Sequence, residues 1–241
     1  RSESFGTSFM KNKQILCTIC ARGGSKGLPN KNLLKIDDKS LIGHTLTQAK
    51  SVEDIDCIII SSDSDDILEE GKMYGADILL RRSAKLASDD AGKIDAIIDC
   101  LSHAESKLNI DFDYVIDLDV TSPLRNTSDI KNCLEFINNH GFKNLITVTN
   151  SRKNPYFNQI EITNEGPKLV KTGHNITGRQ SAPRVYDMNA SIYVWSKDFL
   201  INEKSLFSKD TIVYDMPEER SLDIDNELDF KFVKYLMENE L

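Results

Sequence analysis

The segment ILCTICARGGSKGLPNKN, residues 15–32, joins an apolar run to a loop rich in glycine and cations. The run Ile15–Ile19 has the continuous apolar character of a strand that is buried on both faces. The three glycines of the loop let the backbone approach a ligand closely and turn N–H groups towards phosphate oxygens. Arg22, Lys26 and Lys31 add positive charge. The segment therefore predicts the first strand of an α/β sheet, followed by an anion-binding loop.

The first half of the chain alternates strand-like and helix-like segments. Strands are predicted at 14–20, 57–62, 77–81, 114–118 and 145–149, and helices at 41–50, 65–74, 91–107 and 128–139. Alternation of this kind, with strands apolar along their length, predicts a mainly parallel sheet covered by helices on both faces. Ligands bind such sheets beyond the carboxyl ends of the strands, which is where the glycine-rich loop lies.

The pattern changes after Asn150. Residues 151–188 hold three of the six prolines and contain alternating segments, which is typical of antiparallel strands. A strand at 190–195 then returns to the main sheet, and 226–240 form an amphipathic helix. The predicted organisation is a nucleotide-binding part at 10–150, a small subdomain at 151–188, and a return to the α/β domain at 189–241.

The composition of the chain limits the classes of partner that it can bind. The 241 residues carry a net charge of −8, which argues against broad electrostatic binding to nucleic acid. No apolar run approaches the roughly 20 residues of a membrane span, and residues 1–13 lack the apolar core of a signal peptide, so we expect a cytoplasmic protein without membrane partners. An isolated cationic loop on an acidic protein indicates a small anionic ligand.

The loop by itself leaves three interpretations open: a solvated turn, a dinucleotide-binding loop and a cradle for a triphosphate. Its GGSKG sequence does not match the dinucleotide pattern G-x-G-x-x-G. The pattern G-x-x-x-x-G-K-[ST] of the common phosphate-binding loop is absent as well. The choice therefore depends on the rest of the chain.

The segment DLDVTSPLR, residues 117–125, places two carboxylates at the mouth of a strand. Asp117 and Asp119 share one strand face because side chains alternate along a strand. The pattern D-x-D-x-T resembles the nucleophile motif of haloacid-dehalogenase-type phosphatases, with Asp117 as nucleophile and Asp119 as acid/base. That family normally carries the motif on its opening strand, whereas here it lies halfway along. A phosphatase and a non-catalytic nucleotide-binding module stay open as alternatives.

The segment SLDIDNELDF, residues 221–230, places Asp223 and Asp225 two positions apart. In an extended segment both carboxylates face one side, which suits a hard divalent cation. The alternative is that one of them caps the final helix, with Glu227 and Asp229 in its first turn. A triphosphate elsewhere favours the metal, because Mg²⁺ commonly bridges carboxylates and substrate phosphates.

From Gln14 to its C-terminus the chain resembles the CMP-sialic acid synthetase family (acylneuraminate cytidylyltransferases), and most of all the branch that acts on legionaminic acid, a bacterial sialic-acid-like sugar. The matching segments are ARGGSKGLPNKN (21–32), LRRSAKLASD (80–89), TSPLR (121–125), RQSAPRVYDMNASIYV (179–194) and SLDIDNELD (221–229). The resemblance implies a three-layer, Rossmann-like nucleotidyltransferase fold with a small antiparallel dimerisation subdomain, and a homodimer. It implies that CTP and a nonulosonic acid give the CMP-sugar and pyrophosphate.

The resemblance also implies roles for individual residues. The catalytic residues would be Arg22, Lys26 and Asp225, and the Mg²⁺ ligands would be Asp223 and Asp225. CTP would be bound by Arg22, Gly23, Ser25, Lys26, Lys31, Asn32, Arg82, Ser88, Asp89, Ala91 and Lys93. The acidic nine-carbon sugar, legionaminic or N-acetylneuraminic acid, would meet Asp119, Thr121, Ser122, Phe157, Arg179, Asn189 and Tyr193.

Two departures from the family pattern concern the sugar. The sialic acid enzymes typically carry glutamine where this chain has Asp119, and lysine where it has Phe157. An aromatic ring suits the more apolar side chain of a legionaminic-type sugar, so we predict a preference for that sugar over N-acetylneuraminic acid.

Overall fold

A computed structural model describes residues 13–24, 27–88, 92–139, 142–173, 176, 178 and 180–239; for 137–139 it describes the backbone alone. Within these residues the strands are β1 (Ile15–Cys20), β2 (Lys35–Ile36), β3 (Lys39–Ser40), β4 (Cys57–Ser62), β5 (Ile78–Arg81), β6 (Tyr114–Leu118), β7 (Asn144–Asn150), β8 (Ile160–Thr163), β9 (Gly166–Leu169), β10 (Tyr186–Ser196) and β11 (Ile212–Asp215). The helices are α1 (Leu41–Lys50), α2 (Asp65–Met73), α3 (Ala84–Ala87), α4 (Lys93–Leu108), α5 (Thr127–Asn139), α6 (Lys197–Asn202) and α7 (Glu227–Glu238).

Seven strands form the central sheet in the order β11-β7-β10-β6-β1-β4-β5. Strand β10 runs antiparallel to both its neighbours, β6 and β7. The other neighbouring pairs of this sheet are parallel. The mainly parallel sheet predicted from the alternation of strands and helices is therefore confirmed.

Helices cover both faces of the sheet. Along β1, Cys17 and Ile19 pack with residues of α1, α2, α5 and α7, whereas Leu16 packs on the other face with residues of α4 and α6. Because side chains alternate along a strand, the uninterrupted burial of Ile15–Ile19 shows that both faces of β1 are covered. The three-layer fold class is therefore confirmed.

The second half of the chain contains features that the sequence patterns did not reveal. Strand β11 pairs with β7 at the edge of the sheet. Strand β10 is longer than predicted, and its register with β7 shifts between Met188 and Tyr193, where Ala190 has a positive φ of 53°. Strands β8 and β9 form a separate antiparallel hairpin, as the alternating pattern predicted. The predicted domain boundaries stay predictions.

The carboxyl ends of β1, β4, β5 and β6 meet at one edge of the sheet because these strands are parallel neighbours. Strand β10 runs the opposite way, so its first residues reach the same edge. Its register places Tyr193 beside Asp117. This edge therefore collects the predicted site residues from both halves of the chain.

In the part of the chain that the structure describes, no helix combines the length and apolar character needed to cross a membrane.

Candidate active site

The glycine-rich loop leaves β1 and rests on the acidic motif at 221–229. A Cβ atom on Gly27 would lie only 2.4 Å from the backbone oxygen of Asp225. Any other residue would therefore clash at this position, and only glycine fits. Lys31 Nζ lies 3.3 Å from Asp225 Oδ1, and that carboxylate is largely exposed. The predicted phosphate loop and the predicted metal motif are therefore adjacent. Ser25 and Lys26 lie outside the described residues.

Hydrogen bonds to the rest of the protein shape the described part of this loop. The Asn32 amide donates to the backbone oxygen of Arg22 at 2.9 Å, and the Gly23 N–H donates to Asp63 Oδ1 at 2.8 Å. Asn32 is buried. Asn32 and the Gly23 N–H, both predicted to bind CTP, thus serve here to fix the shape of the loop.

The helix that follows the acidic motif is capped by Asn226. Its side-chain oxygen accepts hydrogen bonds from the N–H groups of Leu228 and Asp229, at 2.9 and 3.1 Å. The Asp229 carboxylate in return accepts from the Asn226 N–H at 3.0 Å, which completes a capping box. The alternative that Asp223 or Asp225 caps this helix is therefore wrong, and both carboxylates are available for another role.

Asp223 is a partly buried carboxylate with one oxygen that the described residues leave unpartnered. Within the described residues, its buried Oδ1 makes no hydrogen bond. Burial raises the pKa of this carboxyl to about 6, and the charges of Asp119 and Asp225 add to that rise. The Ile224 N–H donates to the Thr121 backbone oxygen at 3.0 Å, which fixes the motif beside the loop after β6. An orphaned buried oxygen of this kind fits a bound cation.

Over the described ranges, no group of three or more His, Cys, Asp or Glu side chains is arranged to hold a metal ion. Asp223 and Asp225 alone therefore suit an ion that takes its remaining ligands from phosphate and water. Mg²⁺ binds in this way, commonly through one or two carboxylates together with substrate phosphates. The donor set thus fits Mg²⁺ bound together with a nucleotide.

Asp119 is held at several points in the loop after β6. Its Oδ1 accepts hydrogen bonds from the N–H and Oγ1 of Thr121, at 3.1 and 2.9 Å, and its Oδ2 accepts from Lys93 Nζ at 2.8 Å. Burial raises the pKa of this carboxyl, but Lys93 and Thr121 outweigh burial and bring the pKa down to about 2. Asp119 is therefore a fixed anion at neutral pH.

Lys93, the first residue of α4, joins two carboxylates of β6 and the loop after it. Its Nζ lies 2.9 Å from Asp117 Oδ2 and 2.8 Å from Asp119 Oδ2, and 4.8 Å from the centre of the Tyr193 ring. Burial lowers the pKa of Lys93, but Asp117 and Asp119 raise it well above its usual value. Lys93 is therefore a paired cation.

Asp117 is unsuited to the phosphatase mechanism. Its side chain has no exposed surface, and its two oxygens meet Thr18 Oγ1 at 2.7 Å and Lys93 Nζ at 2.9 Å. A nucleophile must reach the phosphorus of its substrate, and this carboxylate lies beneath the surface. The alternative of a haloacid-dehalogenase-type phosphatase is therefore not supported.

Arg125 received no role from the sequence patterns, yet it organises this edge of the sheet. The buried guanidinium donates to the backbone oxygens of Asp119 and Ser191, at 2.6 and 2.9 Å, and to Thr45 Oγ1 at 3.1 Å. Burial lowers its pKa to about 10, against the opposing charge of Asp119. Two signals were available in the sequence: this arginine follows a buried strand directly after a short turn, and it ends the family-like segment TSPLR (121–125).

Two neighbouring cavities open at this edge. The first, which we call the cationic cavity, has a volume of about 230 Å³ and is lined by Cys20, Arg22, Arg82, Leu86, Ser88, Gly92, Lys93, Ala96 and Asp119. The second, which we call the aromatic cavity, has a volume of about 380 Å³ and is lined by Gly92, Lys93, Ile94, Asp95, Tyr193, Trp195, Lys204 and Leu206. Gly92 and Lys93 line both cavities, so the two spaces share a wall.

The cationic cavity brings together most of the described residues that were predicted to bind CTP. Arg82 is held there by Ser61, whose Oγ and backbone oxygen accept hydrogen bonds from the guanidinium at 3.2 and 3.0 Å. Arg22 and Ser88 line the same space. Asp89 and Ala91 lie outside the described residues.

The residues predicted to bind the sugar are less closely grouped. Tyr193 lines the aromatic cavity and stacks on Trp195, with 5.5 Å between the ring centres. Phe157 lines a different cavity of about 400 Å³, formed by residues of 150–157 and 182–185. Thr121 and Ser122 are buried. Arg179 lies outside the described residues.

Asn189, also predicted to meet the sugar, is buried and already fully hydrogen-bonded. Its oxygen accepts from Thr147 Oγ1 at 2.7 Å and from the Ser191 N–H at 3.3 Å. Its nitrogen donates to Ser221 Oγ at 3.0 Å and to Met216 Sδ at 3.3 Å. In this conformation Asn189 therefore links β10 to the start of the acidic motif.

Comparisons with known proteins identify the family and the fold of this chain. The family model described as Cytidylyltransferase matches residues 16–240. The chain is 45% identical over 228 residues to the post-translational flagellin modification protein B of Campylobacter coli, a match that covers 94% of this chain and 96% of that protein. It is 45% identical over 225 residues to the CMP-N,N'-diacetyllegionaminic acid synthase of Campylobacter jejuni, covering 93% of this chain and 95% of that protein. The solved structure of CMP:2-keto-3-deoxy-manno-octonic acid synthetase complexed with CTP has a TM-score of 0.68 at 17% identity, covers 95% of this chain and 100% of that one, and shows the shared fold.

Proposed function

The chain belongs to the cytidylyltransferase family, as its motifs predicted, and we propose that it transfers the cytidylyl group of CTP to an acidic nine-carbon sugar with release of pyrophosphate. The observation that carries this proposal is the contact between the glycine-rich loop and the acidic motif. Gly27 rests on the backbone of Asp225, and Lys31 lies beside its carboxylate. A cationic loop next to two carboxylates suits a triphosphate bound together with a divalent cation.

In the proposed reaction the anomeric hydroxyl of the sugar attacks the α-phosphorus of CTP in line. An O–P bond forms while the hydroxyl loses its proton to water. The bond between the α-phosphorus and the oxygen that bridges to the β-phosphate breaks, and pyrophosphate leaves. Arg22, Lys26 and Lys31 would hold the phosphates and stabilise the charge that builds on the leaving group. Arg82 and Ser88, in the cationic cavity, would help to hold the cytidine end of CTP.

The acidic motif would hold Mg²⁺ through Asp223 and Asp225. When bound, Mg²⁺ withdraws charge from phosphate oxygens and lowers the pKa of a hydroxyl that it contacts. The chain contributes the fixed geometry: the Asn226 cap and the hydrogen bond from the Ile224 N–H to Thr121 hold the motif in place. The orphaned Oδ1 of Asp223 supports this assignment.

The sugar that we propose is a legionaminic-type acid with two acylamino groups. The Campylobacter jejuni relative carries N,N'-diacetyllegionaminic acid in its name. The aromatic cavity beside Lys93 offers Tyr193, Trp195 and Leu206 to the apolar part of such a sugar. N-acetylneuraminic acid is the second candidate substrate, and we propose that it reacts more slowly.

The proposal includes a homodimer. The hairpin of β8 and β9 exposes Ile160 and Ile162, the latter to 87% of its surface, and burial against a second copy would remove these side chains from water. Phe157 precedes this hairpin. We propose that it reaches a sugar through the second copy of the chain. The cytoplasmic location stays a prediction.

An assay of pyrophosphate release with CTP tests the proposal. The sugars would be N,N'-diacetyllegionaminic acid, N-acetylneuraminic acid and 2-keto-3-deoxy-manno-octonic acid, with a reaction lacking sugar as blank. We expect the highest kcat/KM with the first sugar. Binding of CTP without pyrophosphate release from any of the three would instead identify a non-catalytic nucleotide-binding module. Hydrolysis of p-nitrophenyl phosphate without CTP would revive the phosphatase alternative.

A further inference from the structure

The carboxylate of Asp129, in the first turn of α5, is fully used by the protein. Its side chain has no exposed surface. Oδ2 accepts hydrogen bonds from Arg220 Nε and from the Asn126 N–H, at 2.9 and 3.0 Å. Oδ1 accepts from Arg220 Nη2 at 2.9 Å and, more weakly, from the Tyr214 hydroxyl at 3.5 Å. A carboxylate has about four lone-pair sites, and these four contacts occupy them. Asp129 therefore serves to hold other parts of the chain.

The contact between Arg220 and Asp129 supplies geometry more than stability. A buried ion pair stabilises a fold little, because the cost of removing its charges from water offsets their attraction. The planar guanidinium, however, donates two parallel hydrogen bonds to one carboxylate, which fixes both the distance and the direction of the contact. The segment that contains Arg220 is thus held against α5 in one orientation.

The acidic motif begins directly after this anchor. Asp223 lies three residues beyond Arg220. Ile224, between the two carboxylates, is buried, and its N–H donates to the backbone of the loop after β6 at 3.0 Å. Asn226, which follows Asp225, caps the final helix. The backbone of the motif is therefore held before, between and after its two carboxylates.

The two carboxylates themselves are less engaged than the backbone that carries them. Among the described residues, the buried Oδ1 of Asp223 makes no hydrogen bond. The side chain of Asp225 is 74% exposed, with Lys31 Nζ at 3.3 Å. A fixed backbone with open carboxylates presents two oxygen ligands at a set spacing.

We infer that Arg220 is a positioning residue: its ion pair with Asp129 fixes the spacing of Asp223 and Asp225, and this spacing makes the site select Mg²⁺ over Ca²⁺. This inference rests on the proposed function and makes its metal site more specific. Mg²⁺ demands near-ideal octahedral geometry with bonds of about 2.0–2.1 Å, whereas Ca²⁺ accepts irregular geometry at about 2.3–2.6 Å. Loosening the motif therefore costs Mg²⁺ more than Ca²⁺.

The first experiment replaces Arg220 by Gln, which removes the charge and the paired donors but keeps a polar side chain. Melting temperature is measured with saturating CTP and no sugar, over a series of free Mg²⁺ concentrations and, separately, of free Ca²⁺. The rise above the same variant's metal-free melting temperature gives the apparent affinity for each ion. We expect the affinity for Mg²⁺ to fall roughly tenfold to a hundredfold, the range for residues that orient metal ligands. The affinity for Ca²⁺ should fall by at most about a few-fold, because Ca²⁺ tolerates flexible sites.

Arg220→Lys is the conservative variant. It keeps the positive charge but offers Asp129 a single ammonium in place of the planar guanidinium. It should recover part of the Mg²⁺ affinity that Arg220→Gln loses. If Arg220→Gln does not fold, Arg220→Lys carries the test, and its affinity for Mg²⁺ should fall more than its affinity for Ca²⁺. In the pyrophosphate assay it should need more Mg²⁺ for the half-maximal rate, with an unchanged sugar KM at saturating Mg²⁺.

Lys197→Met is the matched control. Lys197 is exposed to a similar degree, 24% of its side chain against 29% for Arg220, and it also pairs with carboxylates, those of Glu105 and Asp111. It follows β10 at the opposite edge of the sheet. We expect this variant to lower the metal-free melting temperature and to leave both metal affinities unchanged. It therefore separates a general loss of stability from a loss of metal-site geometry.

Three results overturn the inference: an unchanged Mg²⁺ affinity in Arg220→Gln, equal losses of Mg²⁺ and Ca²⁺ affinity, or the same change of selectivity in Lys197→Met. A wild-type melting temperature that responds to neither ion overturns it together with the metal assignment. Failure of the wild-type protein to release pyrophosphate with any sugar would instead contradict the proposed function.

Discussion

The glycine-rich loop and the acidic motif lie side by side, but the protein holds their charged groups differently. Lys31 of the loop meets the largely exposed carboxylate of Asp225 at 3.3 Å. The segment before the acidic motif is tied to the core, since Arg220 forms two hydrogen bonds of 2.9 Å to the buried carboxylate of Asp129. The segment before the acidic motif is therefore anchored by a buried ion pair, whereas the loop meets the motif through an exposed one.

Two carboxylates of this edge show the same contrast. Lys93 and Thr121 outweigh burial at Asp119 and lower its pKa to about 2. Burial raises the pKa of Asp223 to about 6, and its Oδ1 has no described partner. Asp119 thus has a lysine in direct contact, whereas the buried Oδ1 of Asp223 has no hydrogen-bond partner among the described residues. The four predictions below test this distinction, beginning with the largest expected effect.

Asp225→Asn should abolish most activity with little effect on folding. The substitution keeps the shape of the side chain but removes a negative ligand, so we expect roughly a thousandfold loss of turnover, equivalent to about 4 kcal/mol. The free energy of unfolding should change little because Asn226 caps the helix. Pyrophosphate release across a Mg²⁺ series and chemical denaturation provide the two measurements.

Asn226→Ala is the matched control for that variant. Loss of the cap should lower the free energy of unfolding by about 1 kcal/mol. A clear drop in stability for Asp225→Asn with normal activity would contradict the metal assignment.

Lys26→Ala tests the cationic side of the comparison. If Lys26 meets the leaving pyrophosphate, its loss should remove roughly 2–4 kcal/mol of transition-state stabilisation, as for other preorganised donors. The measurement is kcat/KM for CTP at saturating sugar. Lys107→Ala, near the end of α4, removes an exposed lysine from another part of the chain and should leave kcat/KM unchanged. Normal turnover of Lys26→Ala would contradict the triphosphate cradle.

Asp223→Asn should stabilise the metal-free protein at alkaline pH. The folded-state pKa of about 6 exceeds the ordinary value of 3.8, so the folded protein binds the proton more tightly. Stability contributed by this carboxyl is therefore present at low pH and is lost as the pH rises from about 4 to 6, by up to about 3 kcal/mol.

Melting in a chelator at pH 8 and at pH 4 measures this effect. The variant should melt higher than the wild-type protein at pH 8 and within about a degree of it at pH 4. Its activity should be largely lost at both. A lower melting temperature at pH 8 would show that the Asp223 carboxylate is satisfied within the protein.

Phe157→Lys should have the smallest effect. Phe157 lies in a cavity apart from Tyr193, so we expect it to reach the sugar through the second copy of the chain that is proposed above. We expect the kcat/KM ratio of N,N'-diacetyllegionaminic acid to N-acetylneuraminic acid to fall by less than about tenfold. Met73→Lys adds the same charge at an exposed position on α2 and should leave the ratio unchanged. A ratio that rises in Phe157→Lys would contradict a sugar contact.

Much of the fold follows from local patterns. Strands β1, β4 and β6 are mostly apolar, and α4 carries its apolar residues on one face. The sequence therefore predicted the ends of these four elements to within a few residues. Strand β11 was missed because an edge strand of four residues, partly exposed, carries little apolar signal. The extension of β10 was missed because its first three residues are exposed.

For the site, the amino-acid sequence already indicated which kinds of chemistry the chain carries. The glycine-rich loop with its cations, and two carboxylates spaced by one residue, are local patterns that need no knowledge of distant contacts. The family was indicated by the resemblance of five segments of the chain, among them these two. The partner of a charged side chain can lie anywhere in the chain. Local sequence patterns therefore do not reveal it.

Only the tertiary structure could therefore assign partners. It placed Lys93 between Asp117 and Asp119, seated Gly27 against Asp225, and filled the hydrogen bonds of Asn189 with groups from three other segments. Where packing buries a side chain that was predicted to bind a ligand, that side chain instead holds other residues of the protein in place. The physical reason is that burial forces a polar group to find a partner inside the protein, and the fold decides which partner is within reach.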